Sequence, residues 1–243
     1  MKRSASQSEQ ANKRAATAAG EAAEAHGPVL DEAEFAAINE EMKAYDAQRE
    51  AVIKSTRDVL KNSKQAIFAL HRGDRTRARS LLKDAKDIAE TLLPTVTAEP
   101  SLRHGSFAAA AEEYVEAMAY EHYLESGRLI TMKELGFVDR EEYLGGVIDL
   151  TGELMRFAVA KATQRDVAAV SKCADLVDNL QGQLIQFDFR NGGLRKKYDS
   201  IKWNMKKLET VLYELSLVSA GKITASDAQL DAKAPEQSDD TGS

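Results

Sequence analysis

Between residues 28 and 221, large apolar side chains return at steps of three and four, the spacing that lines them along one face of an α-helix. Phe35, Ile38, Met42, Tyr45, Val52 and Val59, with Arg49 and Thr56 in the intervening slots, predict one long helix from about 31 to 72. It is entered after Pro28 and ended at Gly73. RTRARSLLKDAKDIAETLL predicts a second helix over about 75–93, stopped at Pro94, with TVTAEPSLRHG as a loop after it. Ser106 is the expected N-cap of a third, running to about Glu125 with Gly127 just past its end. A short turn around Met132–Leu135 leads to Asp139, the expected cap of a fourth helix that reaches about Thr163. A fifth covers about 165–188, and Asn191-Gly192-Gly193 breaks the chain. In the sixth, about 194–219, Leu194, Tyr198, Ile201, Met205, Leu208, Leu212 and Leu215 alternate at steps of four and three, a pattern suited to antiparallel bundle or coiled-coil packing. The fold class predicted is all-α, an elongated bundle of six main helices.

Composition agrees. Only 14 Gly and 4 Pro in 243 residues, with 43% hydrophobic content, suit helices around a sizeable core. About 40 residues of first helix would span roughly 60 Å, more than one compact domain needs, so its stripe is expected to be buried against another subunit. Residues 1–27 and 222–243 are polar and poor in large apolar groups, and read as disordered tails around a single domain at 28–221. Lys2-Arg3 and Lys13-Arg14 match a bipartite nuclear-import pattern. With a single cysteine, Cys173, and no apolar run long enough for a membrane, the expected location is cytoplasmic and nuclear.

Two acidic motifs carry the candidate chemistry. Glu113-x-x-Glu116 and Asp149-x-x-x-Glu153 each put both carboxylates on one side of a helix. Four acids converging from two facing helices would form a hard-oxygen site for Mg²⁺ or Mn²⁺; unpacked, they would be two solvated faces. Gly145, Gly146 and Gly152 lower helix propensity beside them, a cost that close helix approach or ligand access would offset. Carboxylates near apolar surface repel one another unless a cation or a proton intervenes. Such a site suits phosphodiester hydrolysis, with a carboxylate off the metal accepting a proton from water. A ferritin-like di-iron site wants Glu-x-x-His pairs, and the chain has none; His122 stands alone beside Glu121.

A nuclease must also hold a polyanion. The formal charge of −6 argues against indiscriminate binding, yet positive groups cluster locally. Arg195, Lys196 and Lys197 open the sixth helix, Arg75 and Arg79 lie at the first interhelical turn, and Arg103 and His104 precede the acidic helix. Each is a candidate phosphate contact and, equally, an ordinary solvated face.

The stretches EEYVEAMAYEHYLESGRLIT, EEYLGGVIDLTGELMRFAV and GLRKKYDSIKWNMKKLETVLYELSL together resemble the translin family, within it the translin-associated protein X branch, over about 30–220 in the same order. The resemblance implies a fold of six to seven helices that assembles into a closed octameric barrel, alone or mixed with translin. It further implies a Mg²⁺- or Mn²⁺-dependent endoribonuclease acting on single-stranded or nicked small RNA, as in passenger-strand removal during RNA silencing or tRNA-fragment processing. Single-stranded DNA is a further ligand that the resemblance allows. The family's catalytic acids fall on Glu113, Glu116, Asp149 and Glu153, with Glu116 and Glu153 as direct metal ligands and Glu113 and Asp149 as ligand or general base. Translin proper lacks the full acid set. LRKKYD, however, is closer to translin, and Arg103-His104 matches its Arg/His-rich segment only in part, which leaves a non-catalytic nucleic-acid-binding octamer as the alternative.

Overall fold

The computed structural model describes residues 29–221; the tails, with the two basic pairs, lie outside the described residues. Seven α-helices are found there: α1 Glu32–His71, α2 Arg75–Ala98, α3 Ala108–Ser126, α4 Met132–Leu135, α5 Arg140–Thr163, α6 Val167–Leu184 and α7 Gly193–Ser219, with a 3₁₀ turn at Pro100–Leu102 and a π turn at Arg103–Phe107 between α2 and α3. No strand occurs among the described residues.

The chain divides into two compact units at the Glu50/Ala51 bond, inside α1. In the first unit, Asp31 Oδ1 accepts from the backbone N–H groups of Ala33 and Glu34 and so caps the helix start. Its apolar stripe is uncovered, with Phe35, Ile38 and Met42 57%, 45% and 62% exposed. In the second unit the same heptad-like register goes inside: Val52, Thr56, Val59, Ser63, Ala66, Ile67 and Leu70 are buried.

The core of the second unit is built on α5. It packs along α3 on one side and against α6 and α7 on the other. Tyr114, Val115 and Tyr120 of α3, Ile148, Leu150 and Leu154 of α5, and Ile201 and Leu208 of α7 fill the interior. Each such aliphatic or aromatic side chain contributes about 1.5–3 kcal/mol on burial. The α7 stripe is graded: Ile201, Leu208 and Leu215 are buried, while Leu194, Tyr198, Met205 and Leu212 are half-buried.

Most predicted boundaries hold to within a residue or two; three do not. Pro94 does not stop α2, which runs one turn further to Ala98. The proline forfeits one backbone bond, but Val96 is fully buried and the Glu99 N–H closes on Thr95 O, which offsets the loss. Ser106 does not cap α3. The turn is made at Gly105 (φ 87°), and the chain is already helical at buried Phe107, whose position has no side-chain cap bond. The fifth predicted helix is shorter than 165–188 because Arg165 sits at φ 59° and Asp166 caps Val167–Leu184 through Ala169 N–H. Gly127 (φ 71°) ends α3 as expected, and Asp139 caps α5 in a reciprocal box with Glu142, both bonds at 2.9 Å.

Candidate active site

Two glycines bring the acidic helices together. A Cβ at Gly146 would lie 2.5 Å from Val115 Cβ and 2.6 Å from the Glu112 carbonyl oxygen, and one at Gly145 would lie 2.7 Å from the Glu112 carboxyl group. The backbone of α5 therefore touches α3 with no room for a side chain. Gly152 is different, with only Asn204 Nδ2 at 3.9 Å, so close approach does not explain it. Gly146→Ala is expected to cost about 1–3 kcal/mol through overpacking, despite the roughly 1 kcal/mol that alanine gains in helix propensity. Gly152→Ala should gain up to about 1 kcal/mol. Urea midpoints of the two variants report the contrast, and equal shifts would remove the close-contact explanation.

Past that contact the carboxylates share one concavity. A cavity of about 350 Å³ is lined by Lys64, Ile67, Phe68, Glu113, Glu116, Glu153 and Arg156. Asp149 lies beside it rather than in its lining, half-buried, with its Oδ2 bonded to Lys197 Nζ. Lys197 also reaches Glu112 Oε2 at 2.8 Å. Lys64 Nζ stands 3.8 Å from Glu113 Oε2. Glu153 Oε2 takes two cationic or donor neighbours, His71 Nε2 in hydrogen-bonding contact and Arg156 Nη1 at 3.7 Å. Three of the four acids thus line one cavity, and Glu113, Glu153 and Asp149 each have a cation of the chain beside them. Among the described residues no three His, Cys, Asp or Glu groups already stand in a chelating cluster.

The electrostatics follow from that crowding. Burial raises the Glu116 pKa from its ordinary 4.5 to about 8, and the charges of Glu113, Asp149 and Glu153 add to the effect. Burial also raises Glu113, with Lys64 opposing it. For Lys197, burial alone would lower the pKa, but the bonds to Asp149 and Glu112 outweigh it and the net shift is upward. Between pH 4.5 and about 8 the folded chain therefore keeps a proton on Glu116 that the unfolded chain releases. Stability falls as pH rises through that window and levels off above it. Glu116→Gln should flatten this slope in metal-free buffer; a slope unchanged in urea titrations from pH 5 to 8.5 would contradict the assignment.

The predicted phosphate contacts are placed unevenly. Lys196 is exposed on α7, and Arg195 is exposed over the Tyr198 ring at 5.8 Å, with Asp199 3.5 Å away. Lys197 sits inside the acidic site instead. His104 is exposed at the Gly105 turn. Arg103 turns inward, to Glu142 Oε2 at 2.6 Å, Asp139 Oδ2 at 3.2 Å and the Phe137 carbonyl at 3.0 Å. Arg79 pairs with Glu121 and Glu125, and Arg75 donates to the Leu124 carbonyl.

Residues 47–218, well over half of the chain, match the translin family model. The chain belongs to the translin family. Translin of Bos taurus is 34% identical over 120 residues, a match spanning 44% of this chain and 53% of that protein, so the chain spans about half the length of such translins. The translin-associated protein X homolog of Schizosaccharomyces pombe is 25% identical over 209 residues, covering 79% of this chain and 90% of that protein. Among solved structures, apo-NeC3PO has a TM-score of 0.69 at 23% identity, covering 78% of this chain and all of that one. The AfC3PO–duplex RNA complex has a TM-score of 0.68 at 23% identity, covering 76% and 97%. These show the same fold over about three-quarters of the chain.

Sequence reasoning missed the groups that face the acids in this translin-family chain. His71 and Lys64 lie on α1 within its apolar register, and Glu112 neighbours a motif read as starting at Glu113. Their partners are 49 to 85 residues away, and no local spacing reveals such pairings.

Proposed function

We propose that this chain is the metal-dependent endoribonuclease subunit of a translin-type octamer, cleaving single-stranded or nicked small RNA. The observation that carries the reading is Glu116, a carboxyl held half-buried among three further acids so that its pKa is raised to about 8. A group so placed is stabilised by a proton or a cation, and an all-oxygen donor set fits Mg²⁺ or Mn²⁺. Glu116 and Glu153 would hold the ion, and Asp149 would join them once Lys197 lets go. Bound there, the ion would polarise a phosphoryl oxygen and neutralise charge on the leaving oxygen.

The chain's own residues supply the rest. Glu113, already raised by burial and nearest to Lys64, is the carboxylate suited to accept the proton of the attacking water. Lys197, Lys64 and Arg156 ring the acids with positive charge that a phosphodiester would meet on entry. The likeness to AfC3PO, which was solved with duplex RNA, and to translin-associated protein X supports RNA as the substrate and an oligomer of translin type as the working form. The uncovered Phe35, Ile38 and Met42 stripe supports assembly in the same sense.

The alternative is a non-catalytic nucleic-acid-binding subunit. It draws on the 34% identity to a translin and on the Lys197 and Arg156 ion pairs already made to Asp149 and Glu153. Incubating the purified chain with labelled single-stranded RNA, with Mg²⁺ and then with EDTA, decides between them. Cleavage that EDTA stops supports the nuclease; salt-sensitive binding without cleavage supports the alternative.

A further inference from the structure

The last residue of α1 reaches across to the acidic site in a way that the four-acid reading does not use. His71 bonds to Glu153 Oε2 through Nε2, while the Tyr120 hydroxyl meets its Nδ1 at 3.1 Å. All three side chains are sheltered, with Tyr120 wholly buried and the His71 and Glu153 side chains 11% and 20% exposed. The Tyr120 ring lies against His71 at 4.8 Å and meets Phe157 edge-on at 6.3 Å, so its own position is set by packing.

The direction of each bond follows from what its partners can do. An ionised carboxylate only accepts, so the hydrogen of the neutral imidazole sits on Nε2 and points to Glu153. Nδ1 is then the acceptor, and the Tyr120 hydroxyl donates to it. Tyr120 thereby selects the tautomer that donates to Glu153. Both neighbours of Glu153, His71 and Arg156, engage Oε2, which leaves Oε1 as a donor atom for an ion. Without the imidazole, Glu153 would be held by Arg156 alone, an exposed side chain at 3.7 Å.

We propose that His71, oriented by Tyr120, is the positioning residue that fixes the Glu153 carboxylate for the divalent ion. The inference rests on the metal reading above and adds to it a chain of control running from the buried tyrosine through the imidazole to the ligand. Groups that hold a metal ligand in place typically govern affinity by about 10–100-fold.

The test is calorimetric titration of the full chain, as it assembles in solution, with Mn²⁺, beside a thermal melt of each variant. His71→Ala should weaken Mn²⁺ binding by about 10–100-fold. Tyr120→Phe keeps the packing and removes only the hydroxyl, and should weaken binding in the same direction by less. His71→Gln offers an amide N–H to Glu153 and should recover most of the loss. Should His71→Ala fail to fold, the Tyr120→Phe deficit against near-normal His71→Gln carries the same comparison. Wild-type affinity in His71→Ala or Tyr120→Phe would overturn the positioning role while leaving the metal site standing. A folded His71→Gln that binds as weakly as folded His71→Ala would also overturn it. No Mn²⁺ uptake by the wild-type chain would end this inference and the metal reading together.

Discussion

Glu116→Ala and Glu153→Ala each abolish RNA cleavage and leave assembly and RNA binding intact: that is the expected result of a single-turnover assay paired with size-exclusion and filter binding. Removing a direct ligand should cost more than the roughly 10–100-fold typical of its supporting neighbours. The binding arm is as informative as the cleavage arm. An ionised Glu153 repels a polyanion and a protonated Glu116 is neutral toward one, so the loss of either should not weaken RNA affinity. Folding should survive as well. Each substitution removes a carboxyl group from a crowded, partly desolvated site, and for Glu116 the charged form is the unfavourable one near neutral pH. Glu153→Ala does leave His71 without its carboxylate, so its melt may be compared with that of Glu116→Ala to separate that loss. Undiminished cleavage by both variants would remove the proposed mechanism.

The second large effect lies away from the acids. Arg103→Ala should destabilise the fold by about 3–5 kcal/mol, because it strips the partner from a buried carboxylate. The Glu142 side chain is 1% exposed, receives Arg103 Nη2 at 2.6 Å and the Asp139 N–H at 2.9 Å on the same oxygen, and has no partner for Oε1 among the described residues. Burial already raises its pKa, opposed by the Arg103 bond. Without the guanidinium the pKa rises further, so the folded variant binds a proton that the unfolded chain gives up. The deficit should be greatest at neutral pH and shrink as pH falls toward the ordinary carboxylate range. At about 2–4 °C per kcal/mol, the melting temperature should drop by roughly 6–20 °C. Denaturant midpoints at pH 7 and pH 5 measure both parts. A variant within 0.5 kcal/mol of wild type, taken as roughly the scatter of neutral surface changes, would show that Arg103 is not holding that corner.

That result would also separate two meanings of a basic residue. In the sequence Arg103 and Lys197 look like phosphate contacts, because a local run of positive charge carries no information about what faces it. In the fold Arg103 clamps the loop from Phe137 to Glu142, and Lys197 bridges Asp149 and Glu112. The acids themselves were legible, since helical spacing alone puts Glu113 with Glu116 and Asp149 with Glu153. The glycine pair was legible too, as a loss of propensity awaiting a reason, and contact at 2.5–2.7 Å supplies it for Gly145 and Gly146 but not Gly152. Helix limits could be read wherever a local cap sets them, as at Asp139 and Gly127. They were missed where distant packing overrides the local signal, as where buried Val96 carries α2 past Pro94 and buried Phe107 starts α3 in place of Ser106.

Lys64, Lys197 and Arg156 give the acidic site counter-charge that is built into the polypeptide. Most multi-carboxylate centres must be filled before their neighbourhood can settle. Here the ammonium and guanidinium groups act as tenants already in residence, so folding and the proposed ion loading would be separable events. On the proposed reading an arriving divalent ion would displace Lys197 from Asp149 rather than organise empty space, and that exchange would set its affinity. Occupancy can then follow the supply of the ion without the protein losing its shape.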